Sequence, residues 1–495
     1  MRTYFLYSIL ALALFFTACK EGILGNLLPN KAPDTHTIIE VINRSGGTRF
    51  PSSVKIQWWG DDPDGYVQSY QYTFDYPVTA SAHWHAITGN DSLFSLTTPA
   101  GIDTADFHFS IRAIDNEGLA DPTPASVSYP VKNSNPSVQF MPGIYNPTRT
   151  FPVVRLYWQG SDPDGFDNIA GYQMVWNDTA QTALELGPSV SSIILEGQNW
   201  TGSTTNCNVY INNNTSTPSS KTLGGMKLNA SNICYIRIKD ISGAYSHWVA
   251  SYTMYIKKPN STKLLIDAYT NTSAATLNFY STRMINQNYT DCDTLKLFEK
   301  VGGVYSQLSA DNATQSKILK YFKLIVWFGD NTGNSLFLAQ KSLNDFFTGG
   351  GKLFMAMPMD KSFSGNSSSL AFTPAAALTE YNDTSCIYSI DSLSNSNLSG
   401  FPTLKNSNYT PNIKPFILAP NAYSIYNAHL NWNTILSAPI FPLPAWHGSS
   451  CIIAGLKNAA SQQTVMVYSQ VDLQNLNANT NIDLAWAQIL QTLGY

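Results

Sequence analysis

The sequence predicts a multidomain chain: two antiparallel β-sandwiches in tandem, then an α/β domain with a mostly parallel sheet. Three observations carry this. A tryptophan, a glycine and an Asp-Pro-Asp-Gly turn occur as Trp58, Gly60 and Asp62–Gly65, and recur in the same frame as Trp158, Gly160 and Asp162–Gly165. Up to about residue 258 the chain alternates short runs rich in Val, Ile and aromatics with turn residues, the pattern of half-buried strands. From Ser261 onward, continuous apolar runs alternate with helical stretches, which implies strands covered on both faces. At 495 residues the chain is also too long for one core.

Taken in order, the N-terminus "MRTYFLYSILALALFFTACKEG" has basic Arg2, an apolar run from Tyr4 to Phe16, and small residues before Cys19. That run is short for a permanent span, so residues 1–18 read as a cleaved export signal. Residues 19–33 form a tether. The first sandwich covers 34–132, with strands expected at "SVKIQWW", "YVQSYQYTF", "DFHFSIRAI" and "ASVSYPV". The second covers 135–258, with Tyr172 matching Tyr70 and "IRIKDISG" echoing "IRAIDNEG". It is longer by a loop from about Gly197 to Gly225, loaded with Asn, Ser and Thr.

The third domain spans 261–495. Strands are expected at "KLLID", "TLKLF", "KLIVWF", "KLFMAM" and "TVMVYS", and helices at about Ala274–Ile285 and Ser335–Phe347. A last amphipathic helix carries Ile482, Trp486, Ile489 and Leu493, with Asn481 as its cap and Gly494 as its stop. The Asn/Ser-rich stretch from about Phe363 to Ser450 has no assignable pattern.

Hydrophobic residues make up 43% of the chain, enough for packed interiors, while charged residues are 13%, roughly half the usual share of about 25%. A net charge of −4 gives no basic stripe and argues against nucleic acid as a partner. After Cys19 the chain holds Cys207, Cys234, Cys292, Cys386 and Cys451, with no zinc spacing among them. In an oxidising compartment, Cys207 with Cys234 and Cys386 with Cys451 are the pairings that stay within one domain, leaving Cys292.

Several motifs resemble known families. Phe16-Thr17-Ala18-Cys19 resembles a bacterial lipobox, which implies lipidation of Cys19 (palmitate among its acyl chains) and an outer-membrane anchor. Lys20-Glu21 resembles the surface-export tag of Bacteroidetes lipoproteins and implies exposure at the cell surface. The paired "W-x-G-x-D-P-D-G" and "R-x-x-D-x-x-G" signatures resemble fibronectin type III-like (immunoglobulin-like) modules of Bacteroidetes envelope proteins. "KLIVWFGDN…AQKSLNDFFTGGGKLFMA" resembles the class I glutamine amidotransferase-like fold, a flavodoxin-like architecture. Asp91-Ser92-Leu93, Asp103-Thr104-Ala105, Asp178-Thr179-Ala180, Asp293-Thr294-Leu295 and Asp391-Ser392-Leu393 resemble O-glycosylation acceptors of that phylum.

Candidate chemistry is sparse. The amidotransferase resemblance implies a nucleophilic Cys-x-Gly elbow after a strand, but "KLFMAM" runs into Pro358, Met359 and Asp360. No Gly-x-Ser-x-Gly elbow replaces it. His447 and Cys451 lie four apart without an orienting third group, so they read as a loop histidine and a strand cysteine. His83 and His85 share a strand face without a third ligand. Asp61, Asp62, Asp64 and Asp115 form a set of hard oxygens that suits calcium. Turn chemistry accounts for the same residues: Pro presets φ, Asp accepts backbone amides, and Gly takes positive φ. Ser161 in place of Asp61 favours the turn. A flavodoxin-like order would bring Asp267, Asp330 and Asp360 to the strand ends, where they would favour a cation or sugar hydroxyls.

The expectation is a non-catalytic cell-envelope lipoprotein whose sandwiches form a stalk for an α/β binding or assembly domain. Its partners would be the membrane, through the lipid, and a glycan or another envelope protein. Alternatives are an extracellular hydrolase of glycan or peptide, and a glycan-binding adhesion protein. Cys19→Ala is expected to abolish incorporation of radiolabelled palmitate and to move the chain out of the membrane fraction; an unlabelled, soluble wild type would remove the anchor.

Overall fold

The computed structural model describes residues 28–38, 53–99, 101–141, 147–270, 274–298, 300–301, 304–305, 311–330, 332–359, 363–364, 368–379, 386–432 and 443–495. The export signal, Cys19 and Asp360 lie outside the described residues. The chain divides into two compact units: residues up to 135 with 162–168 and 241–244, and the remainder.

In the first unit, β1 (Asp34–Thr37), β2 (Ser53–Asp61) and β5 (Asp91–Ser95) form one sheet. β3 (Val67–Thr73), β4 (His85–Ile87), β6 (Thr104–Asp115) and β7 (Ala125–Lys132) form the other, in the order β4-β3-β6-β7. Alternate residues point inward, so Val54, Ile56 and Trp58 of β2 meet Phe109, Ile111 and Ala113 of β6 in one core.

In the second unit the sandwich begins with β8 (Ser137–Phe140), β9 (Arg149–Thr150), β10 (Val153–Ser161), β11 (Ile169–Trp176), β12 (Leu184–Leu186) and β13 (Ser192–Gly197). The stretch expected to be a long loop instead supplies β14 (Thr204–Ile211) and β15 (Thr222–Lys227), which extend the sheet as β15-β14-β13-β10-β8. Thr205, Cys207 and Val209 alternate inward along β14, a period of two hidden in a polar composition. β17 (Cys234–Asp240) and β18 (Val249–Ala250) complete the facing sheet, β12-β11-β17-β18. β16 (Ala230–Asn232) and β19 (Met254–Ile256) join β9 in a small third sheet.

The repeated signature has one structural job in both sandwiches. Trp58 and Trp158 are buried and meet Tyr70 and Tyr172 edge-on, with ring centroids 6.2 and 5.7 Å apart. Gly160 is required because a β-carbon there would enter the Tyr172 ring. The signature arginines face outward. Arg112 donates to Gln71 at 2.7 Å and covers Trp84, while Arg237 donates to Gln173 at 2.7 Å and stacks on Tyr245 and Trp248.

Beyond residue 262 the sheet runs β21-β20-β24-β25-β35-β34-β32-β28-β29. β20 (Lys263–Asp267), β21 (Asp293–Lys296), β24 (Leu324–Phe328), β25 (Lys352–Ala356) and β35 (Thr464–Ser469) pair in parallel. A short hairpin, β22 (Lys300–Val301) and β23 (Val304–Tyr305), precedes β24. The stretch without a sequence pattern supplies β26 (Ala375–Leu378), β27 (Cys386–Tyr388), β28 (Leu393–Asn395), β29 (Leu404–Lys405), β30 (Thr410–Ile413), β31 (Phe416–Leu418), β32 (Ala422–Ala428) and β33 (Asn431–Trp432). Of these, β28, β29 and β32 join β34 (Cys451–Lys457) as the antiparallel half of the large sheet.

Helices cover both faces. α1 (Ala274–Asn286) and α5 (Ile482–Leu493) pack on one face through Tyr280, Met284, Trp486 and Ile489. α2 (Asn312–Leu319), α3 (Thr332–Ser342) and α4 (Asn344–Thr348) pack on the other through Ile318, Leu336, Ala339 and Phe346. The single helix expected over 335–347 is broken at Leu343, where Ser342 Oγ donates back to Leu338 O at 2.6 Å, a bond that bends helices. Gly494 ends α5 at φ 88°, but Asn481 makes no side-chain cap, because its amide donates to Thr403 O at 2.9 Å.

The expected disulfides are absent, since Cys207, Cys234, Cys292, Cys386 and Cys451 are all free thiols. Cys386 and Cys451 lie in the cores on opposite faces of the large sheet. Cys207 and Cys234 share the second sandwich core, but Cys207 Sγ rests against Met226 Sδ at 3.8 Å.

The second sandwich and the large sheet share a core. Phe151, Val153, Ile194 and Tyr210 of the sandwich are buried with Ile318, Phe322 and Leu353 of the α/β region. Phe151 meets Phe322 edge-on at 5.3 Å, and Trp200 meets Tyr321 at 4.7 Å. Two buried ion pairs cross this seam: Arg155 to Asp311 at 3.2 Å and Lys317 to Glu196 at 3.4 Å. Removing one member of such a pair leaves a charge without its counter-ion. Lys317→Met is therefore expected to cost about 3 kcal/mol in urea denaturation, most of it recovered by adding Glu196→Gln.

Candidate functional site

The carboxyl ends of the parallel strands are where an open α/β sheet offers a crevice. β20 ends at Asp267, whose carboxylate accepts the amide of Tyr269 at 3.1 Å and so turns the chain sharply out of the sheet. The backbone ladder continues one residue further, with Ala268 N on Phe328 O at 2.7 Å. Gly329 follows β24 where a β-carbon would collide with the Ala268 backbone, so only glycine lets the two loops approach this closely.

That approach lets the loops clasp. Asp330 accepts Thr270 N at 2.7 Å and Thr270 Oγ1 at 2.8 Å. Tyr269 donates its hydroxyl to Asp472, just beyond β35, at 2.6 Å, and Thr276 Oγ1 donates to Gln474 at 3.2 Å. Burial raises the Asp472 pKa above the ordinary aspartate value, and the Asp330 charge adds to this against the Tyr269 hydrogen bond. The Tyr269 phenol is raised by burial, then by the charge and hydrogen bond of Asp472.

Of the three carboxylates expected here, Asp267 is buried and Asp330 is exposed, each at the end of its strand, while Asp360 falls outside the described residues. Asp472, which sequence reasoning did not single out, is the carboxylate coupled to Asp330. A signal for it was available in "YSQVD", directly after a strongly apolar strand. The cluster is rich in acceptors already engaged by Thr270 and Tyr269, which suits exchange with ligand hydroxyls better than a calcium shell of six or more oxygens. Among the described residues no group of three or more His, Cys, Asp and Glu is arranged to hold a metal ion.

Several sandwich carboxylates accept backbone amides. Asp64 accepts Lys31 N at 3.1 Å, and Asp164 accepts Ser134 N at 2.7 Å, so each Asp-Pro-Asp-Gly turn ties down the lead-in to its own sandwich. Asp115 accepts Asn30 Nδ2 at 2.6 Å and the amides of Glu117 and Leu119 at 2.8 Å. Burial acts to raise its pKa, but these bonds prevail and hold it below the ordinary value. Asp62 Oδ1 takes Asp64 N at 3.4 Å, and Asp61 lies 3.6 Å from His36. The lead-in residues Asn30 and Lys31 thus each engage one of these carboxylates, Asp115 and Asp64. His85 stacks on Tyr72 while His83 faces Asp75 at 3.7 Å, so the two imidazoles serve different neighbours.

Burial disfavours the thiolate form of Cys207, Cys292 and Cys451. Burial pushes Cys451 up to about 11, against hydrogen bonds with Ser424 and the Ile453 carbonyl, while His447 is exposed. Burial likewise pushes Cys292 up to about 11 and Cys207 up to about 12. Directly beyond β25 stand Met357 and Met359, both buried.

No family model matches the chain, and no curated protein matches it. Solved structures similar to it include the fibronectin(III)-like modules of Clostridium thermocellum CbhA, at 10% identity over 45% of this chain and 94% of that one, with a TM-score of 0.18. A two-domain fibronectin type III segment of chicken tenascin aligns at 10% identity over 46% of this chain and 99% of that one, with a TM-score of 0.20. The PKD1 domain of Vibrio anguillarum Epp aligns at 16% identity over 21% of this chain and 96% of that one, with a TM-score of 0.15.

Because Asp472 is raised, the folded protein retains a proton there that the unfolded chain releases. That contribution to stability is present at low pH and is lost as pH climbs from about 3.9, the ordinary aspartate value, through the raised value. Asp472→Asn is expected to flatten this decline in urea denaturation across the acid-to-neutral range; an unchanged slope would place the proton elsewhere.

Proposed function

We propose that the chain is a non-catalytic cell-envelope lipoprotein, anchored at the outer membrane through Cys19. Two fibronectin type III-like sandwiches would form its stalk, presenting a binding domain of amidotransferase-like, flavodoxin-like descent. The strand orders β1-β2-β5 and β4-β3-β6-β7 support the first part of this reading. If the parallel strands are numbered in chain order, β21-β20-β24-β25-β35 reads 2-1-3-4-5, which supports the second.

The observation that carries the non-catalytic reading is the turn after β25. An amidotransferase-like enzyme would expose a thiolate there, and this chain buries Met357 and Met359 around Pro358. A thioether has neither a proton to give nor an acyl-accepting anion. The crevice around Asp267, Asp330 and Asp472 retains hydrogen-bonding capacity without a nucleophile beside it, which suits binding.

The test is activity of the purified full chain against glutamine, p-nitrophenyl acetate and a panel of p-nitrophenyl glycosides. Rates at the buffer background are expected for the wild type and for Cys451→Ser. A rate well above background that disappears in Cys451→Ser would replace this reading with the hydrolase.

A further inference from the structure

A cavity of about 480 Å³ lies between the small sheet of the second sandwich and the edge strand β21. That volume falls within the roughly 300–1,000 Å³ usual for small-molecule sites. Arg149, Tyr255 and Lys257 line it from the sandwich side, and Asp267, Thr294 and Lys296 from the α/β sheet. Leu277 and Leu295 add an apolar patch, and Asn229 a side-chain amide.

The charge balance of this lining is uneven. Lys257 is paired with Asp293 at 3.0 Å, and Asp293 also accepts the amides of Asn260 and Ser261, fixing the inter-domain linker. Among the described residues no carboxylate lies within ion-pair distance of Arg149 or Lys296. Lysine on an edge strand commonly deters strand pairing, which accounts for Lys296 by itself. It does not account for Arg149, which comes from another sheet, or for both cations facing one cavity. Arg149 lies over the Tyr255 ring at 5.4 Å, an arrangement that orients the guanidinium and leaves its fork for a planar carboxylate.

The remaining groups match hydroxyls and a ring. Asp267, whose carboxylate also accepts Tyr269 N at 3.1 Å, adds an acceptor group to the lining, and Asn229, whose Oδ1 is held by Lys258 N at 2.9 Å, retains its amide nitrogen as a donor. Leu277 and Leu295 supply the apolar part of the lining that the C–H face of a pyranose would cover. We propose that this cavity binds an acidic saccharide, its carboxylate held by Arg149 and Lys296 and its hydroxyls by Asp267 and Asn229. The inference rests on the reading of this region as a binding domain.

The experiment is calorimetric titration of the full chain, in detergent, with digalacturonate, with neutral galactobiose and with inorganic phosphate. Digalacturonate is expected to bind at least tenfold more tightly than either of the others. Arg149→Met/Lys296→Met is expected to weaken it at least tenfold with an unchanged melting temperature. Asn229→Ala, on an exposed turn, is expected to weaken it less and to leave the fold intact. Absence of digalacturonate binding at millimolar concentration would overturn the site, as would affinity unaffected by the double variant. Phosphate or galactobiose binding as tightly as digalacturonate would overturn the assignment to an acidic sugar. Chromatography of the disaccharide recovered from each titration separates the two readings: cleavage would overturn the non-catalytic function, while intact sugar that never bound would overturn only the site.

Discussion

The apolar seam between the second sandwich and the large sheet is the constraint on which the second unit depends. A sheet with parallel strands needs cover on both faces, and helices α2, α3 and α4 share one face with sandwich residues. Phe151, Val153 and Ile194 fill space that another helix would otherwise take. The sandwich is therefore part of the α/β core. Arg155–Asp311 and Lys317–Glu196 add direction to this packing, because a buried charge tolerates only the register in which its partner meets it. Oriented in this way, Arg149 of the sandwich and Lys296 of the edge strand line one cavity.

The repeated signature shows how little of a conspicuous motif need concern ligands. Tryptophan, glycine and tyrosine form one packing unit: the ring of Tyr172 occupies the space that a side chain at position 160 would need. The second aspartate of each Asp-Pro-Asp-Gly turn accepts an amide from the chain entering its own sandwich, at Lys31 and at Ser134. A carboxylate that accepts a preceding backbone amide holds the lead-in segment to its turn. Such a role accounts for its presence in both copies despite the change from Asp61 to Ser161.

Where local pattern and tertiary environment agree, the sequence was legible. β2, β3, β6 and β7, the parallel strands and α5 all follow the periodicity of their residues, since each buries one face or both against a large partner. It was not legible where composition masked period. β14 buries Thr205, Cys207 and Val209 within a stretch dominated by Asn, Ser and Thr, and the strands between β26 and β33 are two to seven residues long. Short strands carry too few alternations to announce themselves, and their pairing is decided by neighbours distant in sequence. The candidate site was half legible. Asp267 and Asp330 follow apolar strands in plain view, whereas Asp472 matters only because Tyr269 reaches it across the strand ends.

The buried methionines beyond β25 and the polar clusters at the strand ends and the seam fit together physically. An elbow of catalytic type holds a reactive side chain in a strained, solvent-facing turn, and that strain has to be offset by the surrounding packing. With Met357 and Met359 buried beyond β25, that turn contributes apolar contacts to the core. Polar groups are then concentrated at the loop ends, around Asp330 and Asp472, and at the seam, around Arg149 and Lys296. Both clusters consist of hydrogen-bonding groups and charges fixed in position by a core that the sandwich helps to complete.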